Sequence, residues 1–413
     1  MIKNNPFLYS AFTTKWLTHF NKNKKEFLFS YFPDLAFIKN TYIPLYTNIG
    51  KTNTKGISYT LANEEDKSLR NNSFLIYDVH SYFHKTAPIN SSRFRLKKTV
   101  QYPGYLCELE NFSSVAAYMK KNLSKNSNYK FNLYKRKLEH CFDISYTMYY
   151  GAIPKETYTH LFTVFHQLLV KRFAEKQESN NNLDPTEWDF YVDVTYPMIL
   201  EKKAALFVTY NKEQPIAISL LFFSDTIAFD TIRVFDTDYA PFRLGTISII
   251  EQLQWCIENG IKYLDFSKGH YEYKERWATT KYNFEYHILY DSKGGISRLI
   301  AHTMVSYFRL KNYLREKNIH MLFHKFTFLV RSKKENRTQN EKAALLATTN
   351  RPLATNLKPI DMDAKENARL LKFTYQFMYN TSEKLTDIHL YEITNKANCF
   401  YIEGLENRYS FVA

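Results

Sequence analysis

The chain has 413 residues, of which 45% are hydrophobic and 17% aromatic, and its formal net charge is +15. This length and composition are typical of a globular protein that buries a sizeable core in two compact lobes. No window reaches the ~18 uninterrupted apolar residues of a transmembrane helix, and residues 1–6 lack the apolar core of a signal peptide. Four scattered cysteines, with no CxxC spacing, argue against a disulfide frame or zinc site and favour the cytoplasm.

The first half of the chain is predicted to begin with strands and to continue with helices. Aromatic and β-branched runs broken by Pro and Gly predict strands, and apolar spacing of three and four predicts helices. The predicted strands are residues 26–32, 35–44 and 74–79, the predicted helices are 113–139 and 158–175, and a polar loop follows over 179–188.

The second half reads as an antiparallel meander, a crossover helix and a parallel neighbour, which indicates an α/β arrangement. Gly260 ends the crossover helix in a left-handed conformation. The predicted strands are 204–210, 216–223, 227–235, 263–266 and 284–290, and the predicted helices are 245–259 and 297–317, the latter basic and amphipathic. A polar linker is predicted over 331–359, followed by a helix over 364–379 and a hairpin of 388–393 with 399–403.

The start of the crossover helix is a candidate anion cradle. Arg243, Leu244, Gly245 and Thr246 lead into it. A helix start aims free backbone N–H groups and a positive dipole end at an approaching phosphate, and Gly245 permits close approach. The alternative is a plain loop-to-helix junction with Arg243 in solvent.

Residues 260–277 concentrate the candidate catalytic groups. Asp265 follows a short apolar strand, where it takes or orients an acceptor proton; alternatively it caps the next bend. Lys274 lies among aromatic residues, where it binds an anionic group or polarises a carbonyl; alternatively it forms a salt bridge with a neighbouring Glu. His270 is a secondary candidate base.

The candidate acceptor-binding residues are aromatic. Tyr271 and Tyr273 flank Lys274, and Trp188, with Tyr191, follows the polar loop. Aromatic walls suit sugar rings, although core packing is the alternative for Trp188 in so aromatic a chain. Lys130, Lys135, Arg136 and Lys137 form a basic helix face, which meets either solvent or a phosphate.

Several of these motifs together resemble a known family. The C-terminal motif is Asp265-Phe-x-x-Gly269 followed by Tyr273-Lys274-x-x-Trp277, preceded by the Gly-Thr helix start; residues 5–10 with Trp16, and the basic helix within 123–139, extend the match over residues 5–320. The pattern resembles the GNAT-fold acyltransferase branch named for the cellulose-biosynthesis protein CelD, which is related to FemAB-type aminoacyl transferases. The resemblance implies a GNAT acyl-CoA N-acyltransferase fold, with a mixed, mostly antiparallel sheet flanked by helices, two GNAT-like lobes and a donor slot between strands 227–235 and 263–266.

These observations predict a domain plan. Residues 1–110 form an N-terminal GNAT-like lobe, 111–320 a GNAT acetyltransferase-like domain, 321–361 a basic segment and linker, and 362–413 a small C-terminal extension without an assigned role.

The resemblance implies an enzyme that transfers an acyl group, in the simplest case acetyl, from acyl-CoA to an amine or hydroxyl of an envelope-polysaccharide precursor or small molecule. No metal is predicted. Coenzyme A, aminoacyl-tRNA and anionic lipid are all polyanions that a net charge of +15 attracts. One alternative is therefore a FemAB-like transferase that uses aminoacyl-tRNA. Another is a non-catalytic module that lies on an anionic membrane through residues 307–331, and a third view is that the charge only solubilises the surface.

Overall fold

The computed structural model describes residues 1–22, 25–62, 67–84, 92–317, 346–347, 352–362 and 364–412. Most of the predicted basic segment and linker, residues 321–361, lies outside these ranges, as do residues 318–331 of the predicted membrane-surface segment.

Within the described residues, eleven strands form one mixed sheet in the order β1-β2-β3-β4-β11-β5-β10-β9-β8-β7-β6. β3 and β4 are parallel, as are β9 and β10, and the other neighbouring pairs are antiparallel. The strands are β1 (Phe27–Leu28), β2 (Ala36–Lys39), β3 (Leu45–Asn48), β4 (Ser73–His80), β5 (Phe94–Glu108), β6 (Ile144–Tyr149), β7 (Ala204–Asn211), β8 (Gln214–Phe223), β9 (Ile227–Phe235), β10 (Tyr263–Lys268) and β11 (Thr280–Asp291).

Helices cover both faces of this sheet. They are α1 (Ser10–Asn21), α2 (Val115–Asn122), α3 (Lys125–Cys141), α4 (Lys155–Lys176), α5 (Pro185–Leu200), α6 (Leu244–Glu258), α7 (Glu272–Trp277) and α8 (Gly295–Glu316). Successive side chains of a strand point to opposite faces. Leu206 of β7 accordingly joins the core under α1, α4 and α5, and Phe207 joins the core under α2, α3 and α6.

A smaller unit follows near the C-terminus. It contains α9 (Ala368–Thr381) and a five-stranded sheet of β12 (Leu346–Ala347), β13 (Leu357–Pro359), β14 (His389–Ile393), β15 (Cys399–Glu403) and β16 (Arg408–Val412). α9 packs against α3 and the 3-10 segment Thr237–Phe242, because Tyr375 and Phe377 share one hydrophobic cluster with Phe142, Tyr239 and Phe242.

The architecture confirms the α/β prediction, with a mixed and mostly antiparallel sheet flanked by helices. The crossover helix, its stop at Gly260 (φ 71°) and the C-terminal hairpin are also confirmed. The single helix predicted over 113–139 is wrong, since the chain breaks at Leu123 and Ser124 caps a second helix. The loop predicted to reach residue 188 is wrong as well, because Asp184 caps α5, which begins at Pro185.

The domain boundary predicted at residues 110 and 111 stays a prediction. β5 precedes that boundary in the chain, yet it lies in the sheet between β10 and β11, which follow it. Strands from both predicted lobes therefore share one continuous set of hydrogen bonds at the centre of the molecule.

Candidate functional site

The candidate site begins where β9 and β10 part. They pair in parallel only from Ile227↔Tyr263 to Phe229↔Asp265, although β9 runs on to Phe235 and β10 to Lys268. Just beyond Phe229, the pairing of β9 with β8 shifts register between Asp230 and Ile232. β10 bends at Ser267, which has a φ of 60°. The two strands thus leave a slot between them, at the position where the family resemblance predicted one.

Asp265 lies at the closed end of the slot and is fully buried. Its carboxylate accepts hydrogen bonds from Tyr282 Oη (2.7 and 2.8 Å), from the backbone N–H of Ser267 (2.7 Å) and from His80 Nε2 (3.1 Å). Burial lowers the pKa of His80, so the neutral ring donates this bond. The carboxylate therefore fixes the bend of β10, and its role towards an acceptor stays a prediction.

Lys274 comes from α7 and is only 4% exposed. Its Nζ donates to the carbonyl oxygens of Lys268 (2.7 Å) and Ser267 (3.5 Å), and it lies 5.3 Å from the centre of the Tyr271 ring. Burial lowers the pKa of Lys274 to about 8, against the opposing effects of Asp230 and Asp265. The aromatic contact expected from the sequence is present, and Glu272 and Glu275 form no ion pair with this lysine.

The start of α6 has the backbone arrangement of an anion cradle. Arg243 caps the helix at φ 56°, and its carbonyl accepts the first bonds from Thr246 and Ile247. The N–H groups of Leu244 and Gly245 precede these bonds and have no acceptor in the described chain. Gly245 is partly exposed, so its N–H is available to a ligand, whereas Leu244 is fully buried.

A second cation, which the sequence analysis missed, lies beside this helix start. A β-carbon on Gly245 would stand 2.7 Å from the ring of Phe235, so that ring packs directly on the glycine. The guanidinium of Arg172, from α4, lies 4.5 Å from the centre of the same ring. Arg172 is some 70 residues from Gly245 in the chain, and no local motif marked it.

Inside the slot lies an ion pair that the sequence analysis also missed. Arg233 Nη2 donates to Asp230 Oδ2 (2.6 Å) and to Gln252 of α6 (3.0 Å). The two side chains are 10% and 4% exposed, and burial raises the pKa of Asp230. Asp230 Oδ1, Arg233 Nε and Nη1, and Ser267 Oγ are buried without hydrogen-bond partners. Because unpaired buried polar atoms are costly, this group is suited to a polar ligand.

A buried ion pair also connects β4 of the predicted N-terminal lobe with β10 of the predicted second domain. Lys268 of β10 pairs with Asp78 of β4 (2.7 Å), and Asp78 also accepts bonds from Thr54 and Gln101. Burial lowers the pKa of Lys268. Together with the His80–Asp265 contact, this pair ties the bend of β10 to the N-terminal strands.

The structure brings some of the candidate acceptor residues to the slot. Tyr273 lies 5.9 Å from the guanidinium of Arg233, and Tyr271, which is exposed, lies 6.0 Å from Tyr273. Trp188 instead packs on Phe162 and Phe165 of α4, within the core under α1, α4 and α5.

The remaining candidates lie at the surface or in the core. His270 is exposed and contacts Tyr105 (2.9 Å), and Tyr191 is buried. In the basic helix face, Lys135 pairs with Glu251 and Lys137 donates to the carbonyl of Tyr379, whereas Lys130 and Arg136 are exposed.

Comparison with known proteins places this slot in a family domain. A family model described as an acetyltransferase (GNAT) domain matches residues 134–275, which include β9, α6, β10 and most of α7. The chain carries a GNAT acetyltransferase domain. It is therefore an acyltransferase enzyme with the GNAT fold, as predicted. GNAT acetyltransferases in general take the acyl group from acyl-CoA.

Three solved structures are similar to this chain at low sequence identity. One is a conserved protein of unknown function from Bacteroides thetaiotaomicron, which is 12% identical in sequence. The aligned region covers 70% of this chain and 92% of that protein, and the TM-score is 0.46. FemX is 10% identical in sequence. The aligned region covers 65% of this chain and 86% of FemX, and the TM-score is 0.44. A tandem GNAT protein from the clavulanic acid biosynthesis pathway is 6% identical in sequence. The aligned region covers 61% of this chain and 77% of that protein, and the TM-score is 0.32. No curated protein matches the chain.

The described residues contain no group of three or more His, Cys, Asp or Glu side chains arranged to hold a metal ion. In the same part of the chain, no helix is both long and apolar enough to span a bilayer.

Proposed function

We propose that the protein transfers an acyl group from acyl-CoA, in the simplest case acetyl-CoA, to an amine or hydroxyl of an envelope-polysaccharide precursor or related small molecule. The observation that carries this proposal is the parting of β9 and β10 directly beside the start of α6, within the GNAT domain. Membership of the CelD-like branch and a cytoplasmic location are parts of the same proposal.

The donor would be held at the helix start. The N–H groups of Leu244 and Gly245 lie at the positive end of the α6 dipole, and this end of a helix favours a pyrophosphate. The N–H of Thr246, the next residue, already donates to the carbonyl of Arg243. Arg243 and Arg172 add two guanidinium groups nearby, each able to form charge-assisted hydrogen bonds with phosphate oxygens. Bound acyl-CoA would supply an acyl group activated as a thioester.

The transfer itself needs a held acceptor and a stabilised carbonyl oxygen. The acceptor atom bonds to the carbonyl carbon, the carbon–sulfur bond breaks to release the thiolate of CoA, and that sulfur takes up the proton that the acceptor loses. Lys274 places a positive charge at the bend of β10, where it would stabilise the developing oxyanion. Asp265 holds that bend through Ser267, and Tyr271 and Tyr273 would line the path of the acceptor.

A second candidate is a FemAB-like aminoacyl transferase, and the ion pair in the slot favours it. Asp230 Oδ1 is a buried acceptor without a partner, and it would suit the ammonium of an aminoacyl group. The net charge of +15 would attract the RNA that carries such a group. This candidate predicts RNA binding that weakens steeply with salt.

Calorimetric titration of acetyl-CoA and longer acyl-CoAs distinguishes the two candidates. We expect saturable binding by the wild type, and an Arg172→Gln variant with about tenfold lower affinity because it loses a charged phosphate contact. Lys176→Gln is the matched control, since Lys176 is exposed on the same helix. A Gly245→Asp variant would be a poorer test, because its side chain would also displace the ring of Phe235.

Failure of every acyl-CoA to bind the wild type would overturn the leading proposal. Salt-sensitive binding of aminoacyl-tRNA in the same assay would then support the second candidate. Equal affinities of the wild type and Arg172→Gln would leave acyl-CoA as the donor but remove Arg172 from its site.

A further inference from the structure

α8 has apolar side chains on two faces rather than one. Its inner face includes Ile300, Ala301, Val305 and Phe308, which are buried against strands β4, β5 and β11. Its outer side carries large apolar side chains that are 38% to 67% exposed, namely Ile296, Leu299, Tyr307, Leu310, Tyr313 and Leu314. A helix that only covers a sheet needs the first set and not the second.

Five of the outer side chains are aligned in a stripe along the helix, with the exposed Thr303 between Leu299 and Tyr307 on the same line. Residues 296, 299, 307, 310 and 314 are separated by steps of three, eight, three and four, so they stay on one line of an α-helix. At 1.5 Å per residue, the 22 residues of α8 extend about 33 Å. Scattered exposed apolar residues are ordinary, whereas apolar residues aligned from 296 to 314, over about 27 Å, indicate a binding surface.

Basic side chains border the stripe on both sides. By helical geometry, at 100° per residue, Arg298 and Arg309 lie on one flank and Lys311 on the other, and all three are exposed. Lys317 follows at the C-cap, and Glu316 is the one acidic residue of α8. The outer side of α8 therefore combines a row of apolar side chains, among them Tyr307 and Tyr313, with positively charged side chains on both of its borders.

We propose that α8 lies in the surface of an anionic lipid membrane, with the outer stripe at the boundary of the acyl chains. The charge pattern is complementary to lipid phosphates, since Lys and Arg can bury their stems while their charged ends reach the headgroups. The two tyrosines have an apolar ring and a polar hydroxyl, which suits the interface. A protein partner would explain the apolar centre, but it would not require bases along both flanks.

The C-terminal end of α8 is connected to the candidate site. Arg315 donates a hydrogen bond to the carbonyl of Gln101, and its guanidinium lies 3.6 Å from the centre of the Tyr102 ring. The Gln101 side chain in turn donates to Asp78 (2.7 Å), the partner of Lys268. A membrane-docked α8 would thus hold the strand ends of the site close to the lipid surface. The docking proposal does not require that the acyl-transfer proposal be correct.

Vesicle flotation of the full chain tests the docking. We expect the wild type to float with vesicles of phosphatidylcholine mixed with phosphatidylglycerol, and weakly or not at all with phosphatidylcholine alone. The double variant Leu299→Asp/Leu310→Asp should bind the mixed vesicles about tenfold or more weakly, because two apolar anchors are lost and two negative charges are added. Binding by the wild type should also fall as salt is raised.

The control is the double variant Val170→Asp/Leu200→Asp, which alters two exposed apolar residues of α4 and α5, the helices on the face of the sheet opposite α8. It should float like the wild type, and all three proteins should unfold at similar temperatures. No flotation of the wild type, or equal flotation of both double variants, would overturn the proposal. If the wild type instead sediments as a dimer that Leu299→Asp/Leu310→Asp dissociates, without vesicle binding, the stripe is an interface between two copies and the lipid proposal is wrong.

Discussion

The ring of Tyr282 occupies the space that a β-carbon on Gly104 would need. The two residues are directly opposed in β5 and β11, and that β-carbon would stand 2.2 Å from Tyr282 Cζ. The missing side chain lets the tyrosine lie across the strand and place its hydroxyl between both oxygens of Asp265. The ring also stacks on His80 at 3.7 Å. One glycine thus permits the contacts that hold the closed end of the slot.

Gly104→Ala should therefore lower the free energy of unfolding by about 1–3 kcal/mol, the usual cost of overpacking. The tyrosine must move, and its bonds to Asp265 weaken. Chemical denaturation measures the loss. Gly295→Ala is the control, because a β-carbon there meets nothing within 4 Å, and it should change stability little. Equal stability of the two variants would show that the ring can move aside freely.

The pH dependence of activity should reveal the charge of Lys274. With a pKa of about 8, the ammonium loses its proton as the pH rises through that value, and kcat/KM should fall. A Lys274→Arg variant keeps its charge, so any activity it retains should not fall in this range. A wild-type profile that is flat through pH 8 would contradict the assigned charge.

The same pKa predicts how stability changes with pH. The folded pKa of Lys274 is about 8, and the ordinary value is 10.5, so between these values the unfolded chain binds more protons. Stability should therefore rise with pH across this window, and the rise should be smaller in Lys274→Met. Denaturation of both proteins at several pH values measures the difference. A larger rise in the variant would contradict the direction of the shift.

Arg233→Met should destabilise the protein by about 3–5 kcal/mol, since it leaves the Asp230 carboxylate buried without the guanidinium. Adding Asp230→Leu should restore most of that stability, because no uncompensated charge is left. A double-mutant cycle by denaturation measures the coupling. If the pair also contacts the donor, the double variant should recover stability but not donor affinity.

The C-terminal unit should influence donor binding through the shared core. Tyr375 packs on Tyr239 at 4.6 Å, in the segment that leads to α6, whereas Phe400 packs on Phe411 within the unit. Alanine at either position should cost about 3–5 kcal/mol. We expect only Tyr375→Ala to lower acyl-CoA affinity as well, measured by calorimetry below the unfolding temperature. Equal affinities of the two variants would limit the unit to a structural role.

The elements that could be predicted from the sequence are those whose apolar residues recur with a regular period. The period of apolar residues was enough to predict α4, α6 and α8 and strands β7 to β10, because each element buries one face or one stripe. The same local pattern placed Lys274 among aromatic rings. It failed for α5, because the first four residues of that helix, 185–188, belong to a polar run that was assigned to a loop, and its remaining residues were assigned to no element.

Tertiary structure decided which of these elements meet. His80 reaches Asp265 across 185 residues, and Arg233, Arg172 and Tyr282 enter the site from β9, α4 and β11. Such contacts arise because distant strands pair in one sheet, and pairing between distant segments leaves no periodic signal in either one. The family resemblance therefore predicted the slot, and the sequence marked Asp265 on one of its strands, whereas Asp230 and Arg233 on the other strand and the distant partners of Asp265 became visible only in the fold.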